Sequence, residues 1–199
     1  VKGWALELIA LTRSELQAFG ARLEPEQRAA HGELRRWSVK DELGHLEFWV
    51  NTFSDNIAAK LEGRALKDIR DYQALNDQAW FERQRWTWTQ LETALTETWA
   101  RLETQVQALE SAQFTDAAVF TLEPPKPLVR TLLYEVVDHP LHHLVRLYLK
   151  TDQGQRVPDL LERVQGRLAR RGMAVWARSS RAKLRKHAAR LEKGAGLGG

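Results

Sequence analysis

Apolar positions along the chain recur at steps of three and four, and nowhere alternate in a sustained period of two, a pattern that predicts helices and no sheet. Leu6, Ile9, Leu16 and Phe19 with Leu23 mark a first helix over about residues 2–23, and Pro25 and Gly32 punctuate the loop after it. Ser38-x-x-Asp41, preceded by Trp37, has the form of a capping box with a hydrophobic staple. Val39, Leu43, Leu46, Val50, Phe53 and Ile57 continue it as a second helix, which Gly63 ends. Residues 64–75 read as a polar connection. A third helical segment covers about residues 76–110, with Leu91, Leu95, Trp99 with Leu102, Val106 and Leu109 in core period. A second capping pattern inside it, Thr87-x-x-Gln90, leaves one kinked helix or two helices open.

Glu123-Pro124-Pro125-Lys126-Pro127 excludes a helix interior and makes residues 111–127 a crossover loop. Pro127 or Leu128 then starts a helix bearing Leu132, Val136 and Leu147. Pro140 should kink this helix, because its missing N–H frees the carbonyl of Val136. Gly154 to Val157 reads as a linker. Pro158 fits the first position of a further helix, whose thin stripe of Leu161, Val164, Leu168, Val175 and Ala182 is weakened by Gly166 and Gly172. Residues 194–199 are expected to be disordered. The fold class is therefore all-α. Four long amphipathic helices with one long crossover predict a four-helix bundle over residues 1–153, followed by a basic helical tail over residues 154–199.

Composition narrows the chemistry. The 199 residues suit one domain with an appendage, and an apolar fraction of 43% with eight Trp is enough for a core. The absence of cysteine excludes disulfides, thiolate metal ligands and a cysteine nucleophile, so any thiol must arrive as a substrate. No run approaches the roughly 18 apolar residues needed to span a bilayer, and no signal-peptide pattern opens the chain. The expectation is a cytoplasmic protein with no membrane partner. The net charge of +4 divides unevenly: from Gly154 onward 12 Lys and Arg face 3 Asp and Glu, a net +9, which leaves −5 for residues 1–153. The basic residues from Arg163 to Arg190 could form an electrostatic footprint for nucleic acid. Only Trp176 interleaves them, however, and single-strand binders stack bases on several aromatics. Docking of the tail on the acidic body or across a dimer, or plain solvation of the charges, explains the same pattern and is favoured over nucleic acid, with a membrane surface behind both.

Asp138-His139-Pro140-Leu141-His142-His143 holds three of the six histidines. His139 and His143 lie one helical turn apart, on the face that carries Leu132, Val136 and Leu147, so both imidazoles would point inward and could share one metal ion. Two ligands make a weak site. The best third is His45, at the edge of the second helix's stripe and one turn before Trp49. A trio of neutral imidazoles with a position left open has the form of a catalytic rather than a structural metal site. It suits Zn²⁺, Ni²⁺ or Fe²⁺ and would act as a Lewis acid on a water or an incoming thiol. The plainer alternative is three hydrogen-bonded core or surface histidines. His142 points about 100° away from His143 and is read as a non-ligand. Glu42 and Asp138 are near enough in sequence to orient an imidazole, although helix charges are more often solvated. Trp49, Trp80, Trp86 and Trp88 could wall an apolar substrate pocket, with core packing the alternative for each. Glu47 and Asn51 are candidate polar groups of that pocket.

These residues also carry a resemblance. Trp37-Ser38-Val39-Lys40-Asp41-Glu42-Leu43-Gly44-His45-Leu46 resembles the second-helix motif of the DinB-like proteins, and His139-x-x-His142-His143 resembles their late His-x-x-His-His motif. Order and separation fit over roughly residues 1–150, and the basic tail lies outside the match. The resemblance implies a bundle that holds a divalent metal through three histidines, by motif position His45, His139 and His143, and that forms a homodimer. Members include bacillithiol and mycothiol S-transferases, the mycothiol-dependent maleylpyruvate isomerase domain and a colibactin self-protection hydrolase branch. The implied activity is a transferase or hydrolase acting on a small electrophile in detoxification or stress, with a low-molecular-weight thiol as candidate co-substrate. Two alternatives stay open. One is a metal-free hydrolase of the self-protection type, whose histidines and carboxylates move protons directly. The other is a non-enzymatic protein that uses its basic tail on nucleic acid or a partner. The family motif is often followed by Arg-Gly-Gln, whereas Leu144-Val145-Arg146 follows His143 here, which together with Pro140 marks a divergent branch.

Overall fold

The capping patterns read from the sequence become helix starts in the computed structural model, which describes residues 2–169 and Ala189. The described residues are helical, with no strand among them. They form α1 (Lys2–Ala21), α2 (Pro25–Ala29), α3 (Val39–Leu61), α4 (Tyr72–Arg83), α5 (Trp88–Ala108), α6 (Ser111–Thr115), α7 (Leu128–Leu133), a π-helical turn (Tyr134–Asp138), α8 (His139–Lys150) and, after a short 3-10 turn, α9 (Val157–Ala169).

At the start of α3 the box closes reciprocally. Asp41 N donates to Ser38 Oγ at 3.2 Å, and Ser38 N donates to Asp41 Oδ2 at 2.8 Å. Gly32 packs so tightly on this cap that a Cβ there would collide with Asp41 Oδ2 and the Ser38 backbone nitrogen. Thr87 and Gln90 make the same exchange, at 3.2 and 2.8 Å, so the chain over residues 76–110 is two helices rather than one. The first of them starts earlier than expected. Asp71 caps it by accepting from Ala74 N at 2.9 Å, a signal that stands five residues before Asn76. The loop after α1 contains the single-turn α2 with Pro25 at its start, and the crossover contains α6.

Pro140 interrupts the last long helix, as expected, but by widening it. The His139 N–H reaches the Tyr134 carbonyl, five residues back, and closes the π turn directly before Pro140. Such turns let a helix absorb an extra residue and continue, and they recur at functional sites.

Helix α3 is the central element: every residue from Val39 to Val50 is buried, charged ones included. It packs against α5, α4, α2 and α8, while α1 packs against α5, α8 and the π turn. One apolar cluster joins Leu8, Ile9 and Phe19 of α1 to Leu43, Leu46 and Ile57 of α3, Trp99 and Leu102 of α5, and Leu144 and Tyr148 of α8. Each such side chain contributes about 1.5–3 kcal/mol through burial.

A buried ion pair ties three helices together. Glu47 accepts from Arg83 Nε at 2.6 Å and from Thr98 Oγ1 at 2.9 Å. The guanidinium lies over the rings of both Phe48 and Trp86, 4.9 Å from each centroid. Glu47 is thus occupied in joining α3, α4 and α5. Asn51 meets Asp55 and Arg101 at the surface.

The start of the basic C-terminal segment docks on the body. Val157, Leu160, Leu161 and Val164 of α9 belong to the main core, and Arg163 grips Glu15 of α1 with two hydrogen bonds of 2.7 and 2.9 Å. The helix begins at Val157, inside the expected linker. The basic residues from Arg170 to Arg190, the stripe positions Val175 and Ala182, and the expected disorder of residues 194–199 lie outside the described residues. Among those described, no helix is long and apolar enough to cross a membrane.

Candidate metal centre

His45 lies in the second turn of α3, His139 opens α8 directly after the π turn, and His143 follows one turn later. The packing of α3 against α8 brings the three rings into a triangle. Centroids are separated by 5.1 Å (His45–His139), 4.7 Å (His45–His143) and 5.0 Å (His139–His143). His45 Nε2 and His139 Nε2 stand 3.0 Å apart, and one nitrogen from each of the three rings falls within 4.8 Å of the others. Two nitrogens held about 2.1 Å from a common ion lie roughly 3.0–3.4 Å apart, so closing the triangle on a cation takes shifts of about 1 Å.

The protonation states favour such use. Glu42, one turn before His45, is 1% exposed and its Oε2 sits 3.2 Å from His143 Nδ1. Burial alone would raise the Glu42 carboxyl. The hydrogen bond with His143 and the charges of Arg146 and Lys150 outweigh it and bring the carboxyl below its ordinary value. An ionised carboxylate only accepts, so His143 Nδ1 carries the proton and its Nε2 lone pair is free. Burial pulls His143 down to about 4, against the opposing hydrogen bond to Glu42. Burial, reinforced by His143, His139 and Arg146, likewise holds His45 well below its ordinary value. Both imidazoles are neutral near pH 7, the form a metal requires. A carboxylate on the far nitrogen of a histidine is the usual device for fixing a ligand's tautomer and angle.

A second carboxylate stands behind His139. Glu135 Oε2 is 3.8 Å from His139 Nδ1; both atoms are buried and neither has a hydrogen-bond partner among the described residues. His45 Nδ1 is also buried and unpartnered. Leaving such atoms unsatisfied costs about 1–3 kcal/mol each, and a cation that drew His139 and Glu135 into register would relieve part of it. The residues present therefore fit a divalent metal. Trp37 covers His45, with centroids 4.8 Å apart, and Tyr134 stacks on His139 at 5.9 Å and 6°. His142 is half-buried and is not part of the cluster.

A cleft of about 940 Å³ opens beside the triangle. Trp49, Tyr134, Glu135 and Asp138 belong to its wall, and Trp49 is also 6.3 Å from the His45 ring and 6.4 Å from that of His139. Of the four tryptophans expected to line a pocket, Trp49 alone lines this one. Trp88 packs against Gly20 and Arg28 and borders a separate cavity of about 210 Å³. Trp80 packs on Phe81 and Trp86 lies against Arg83; they line neither space. Their places in the chain account for the difference: Trp80 is on α4, Trp86 lies in the turn after it against Arg83, the partner of Glu47, and Trp88 opens α5. Glu47 and Asn51 are absent from the cleft wall as well. Glu135 was overlooked in the sequence, although it stands four residues before His139 and so shares its face.

Fold and site together define, among the described residues, an all-α protein with a largely buried three-histidine cluster, backed by carboxylates, beside a cleft whose wall includes Trp49, Glu135 and Asp138. Set against known proteins, the chain matches no family model, no curated protein and no solved structure.

Proposed function

We propose that the protein is a divalent-metal-dependent transferase or hydrolase of DinB-like type, acting on a small electrophile held in the cleft beside His45, His139 and His143. The packing of α1 against α5 and α8, and of α3 against α5 and α8, supports reading α1, α3, α5 and α7–α8 as the four helices of such a bundle. The motif resemblance at residues 37–46 and 139–143 supports the class and, with it, a homodimer. The observation that carries the proposal is the convergence of three imidazoles from two helices, 94 residues apart in sequence for the closest pair, with Glu42 setting the tautomer of one.

In this reading His45, His139 and His143 hold the ion, which supplies Lewis acidity near pH 7 for generating a nucleophile from water or a thiol. Glu42 orients His143, and Glu135 orients His139 once the two atoms close to hydrogen-bond distance. Trp37 and Trp49 exclude water from one side and Tyr134 from another. The absence of cysteine means that a thiol nucleophile would come from a co-substrate. Zn²⁺, Ni²⁺ and Fe²⁺ all accept three imidazoles, so the donor set does not choose among them.

The direct contact between His45 and His139 supports a second reading, in which the pair shares a proton and catalysis runs without metal. Elemental analysis of untagged protein, followed by titration with the three ions, separates the two. The first reading expects one equivalent of metal that is lost in His45→Ala. No stoichiometric metal as isolated, and none bound on addition, removes it.

A further inference from the structure

The cleft wall carries charges of both signs. Four basic residues line it, Lys67, Arg70, Lys126 and Arg130, together with four acidic ones, Asp68, Glu123, Glu135 and Asp138. Two pairs neutralise each other locally: Arg70 with Asp68 at 2.6 Å and Lys126 with Glu123 at 2.5 Å. Glu135 and Asp138 lie at the histidine end, on the π turn. What remains is Lys67 and Arg130: among the described residues neither has a carboxylate within ion-pair distance, and the acidic group that the Lys67 charge acts on, Glu82, is not in the cleft wall. The Lys67 ammonium rests over the Phe48 ring, 4.4 Å from its centroid, and the Arg130 guanidinium makes no hydrogen bond or ion pair among the described residues. Between the two ends the wall is aromatic. Trp49 lies against Tyr72 with centroids 5.7 Å apart, and Tyr72 and Tyr134 are 59% and 54% exposed. Large rings left open on both sides of a cavity offer faces to a planar guest.

We propose that the cleft binds a planar apolar molecule with an anionic group at one end, the anion held by Arg130 and Lys67 and the other end presented to the histidines. That the guest is a substrate rests on the metal-centre reading; that it binds does not. The helix gives its length. Arg130, Tyr134, Glu135 and Asp138 all line the cleft, and nine residues separate Arg130 from His139, about 13 Å of helix axis. Allowing for the reach of both side chains, a guest whose anionic and reactive ends are on the order of 10 Å apart would span them.

A matched pair of fluorescent probes tests this: anilinonaphthalene sulfonate and its uncharged parent, N-phenylnaphthylamine. They share the planar rings and differ by the sulfonate. The full chain is expected to bind the sulfonate at least about tenfold more tightly, the value of one charge-assisted contact, and this preference should shrink as salt is raised. Arg130→Gln with Lys67→Gln should abolish the preference while affinity for the neutral probe stays near wild type. Arg13→Gln, at the separate cavity beside Trp88, should leave the preference intact. Equal binding of the two probes, or a preference that survives the Arg130 and Lys67 changes, overturns the proposal. Metal content is measured on the same samples. Metal binding without probe discrimination sinks this inference alone, and discrimination without metal sinks the metal reading while the anion site stands.

Discussion

Replacing Glu42 by Gln separates a ligand-orienting role from a structural one. The carboxylate is 1% exposed and sits 3.2 Å from His143 Nδ1. Its other oxygen meets Lys150 at 3.4 Å and Arg146 at 3.5 Å, and those two side chains are 41% and 43% exposed. Long contacts to half-exposed cations contribute about 0–1 kcal/mol each. Gln keeps the shape and removes a buried charge, so the stability of the metal-free protein should change by no more than about 1 kcal/mol. Metal binding is different. A neutral amide holds the imidazole less firmly and can turn its NH₂ toward Nδ1, which moves the ring proton to Nε2 and blocks the lone pair. Loss of a supporting partner of this kind costs about 10–100-fold in metal affinity, or roughly 1.4–2.7 kcal/mol of the stabilisation that bound metal confers. For a chain of this size that is a loss of roughly 3–10 °C in the metal-induced rise of Tm. Isothermal titration of the apo protein gives the affinity, and thermal melts with and without metal give the shift. A Glu42→Gln protein whose affinity stays within about twofold of wild type, or whose apo form melts far below it, would refute the assignment.

Other expectations follow from the same geometry. His45→Ala should lower metal affinity by more than the roughly 10–100-fold expected for a supporting carboxylate, while leaving the helical circular dichroism of the apo protein intact; retained affinity contradicts the site. Acid should destabilise the chelator-treated protein. His143 titrates near 4 when folded and at its ordinary 6.5 when unfolded, so the unfolded chain takes up the proton first and stability falls as pH drops from 6.5 to 4. The gap corresponds to about 3 kcal/mol. His45 adds to the loss, and Glu42, held below its ordinary 4.5, extends it to lower pH. Urea midpoints that stay flat across this range would contradict the burial argument. Glu47→Ala removes the buried partner of Arg83 Nε and leaves the guanidinium only the half-exposed Glu82, 2.7 Å from Nη1, so it should cost about 2–3 kcal/mol in urea unfolding, less in combination with Arg83→Met. An additive double variant would show that the two do not interact.

Much of the helical order was legible because capping is local chemistry. Ser38 with Asp41, and Thr87 with Gln90, announce α3 and α5 in four residues each. Asp71 was missed because no Glu or Gln stands at the third helical position to complete a box. The all-round burial of α3 was not legible either. A periodicity argument assigns a helix one apolar face, whereas Val39 to Val50 is covered by four other helices, so Lys40, Glu42 and Glu47 are buried despite their charge. That is why Glu42 reads as a solvated charge in the sequence and meets His143 in the structure. The histidine spacing carried only the pair, since His139 and His143 one turn apart share a face; His45 was legible from its place at the edge of the second helix's apolar stripe. The tryptophans did not carry the pocket, because aromatic content says how much apolar surface is present and not where each ring packs. Pro140 marked the right place for a disturbance. A missing N–H can be accommodated by a kink or by an extra residue in the turn, and only the backbone shows which.

X-ray absorption at the metal edge, on protein loaded with one equivalent of Zn²⁺, bears most directly on whether His45, His139 and His143 share an ion. Three imidazole nitrogens at about 2.0–2.1 Å are expected, falling to two in His45→Ala. A spectrum with fewer than three imidazoles in the wild type, or one that His45→Ala leaves unchanged, would contradict the shared site.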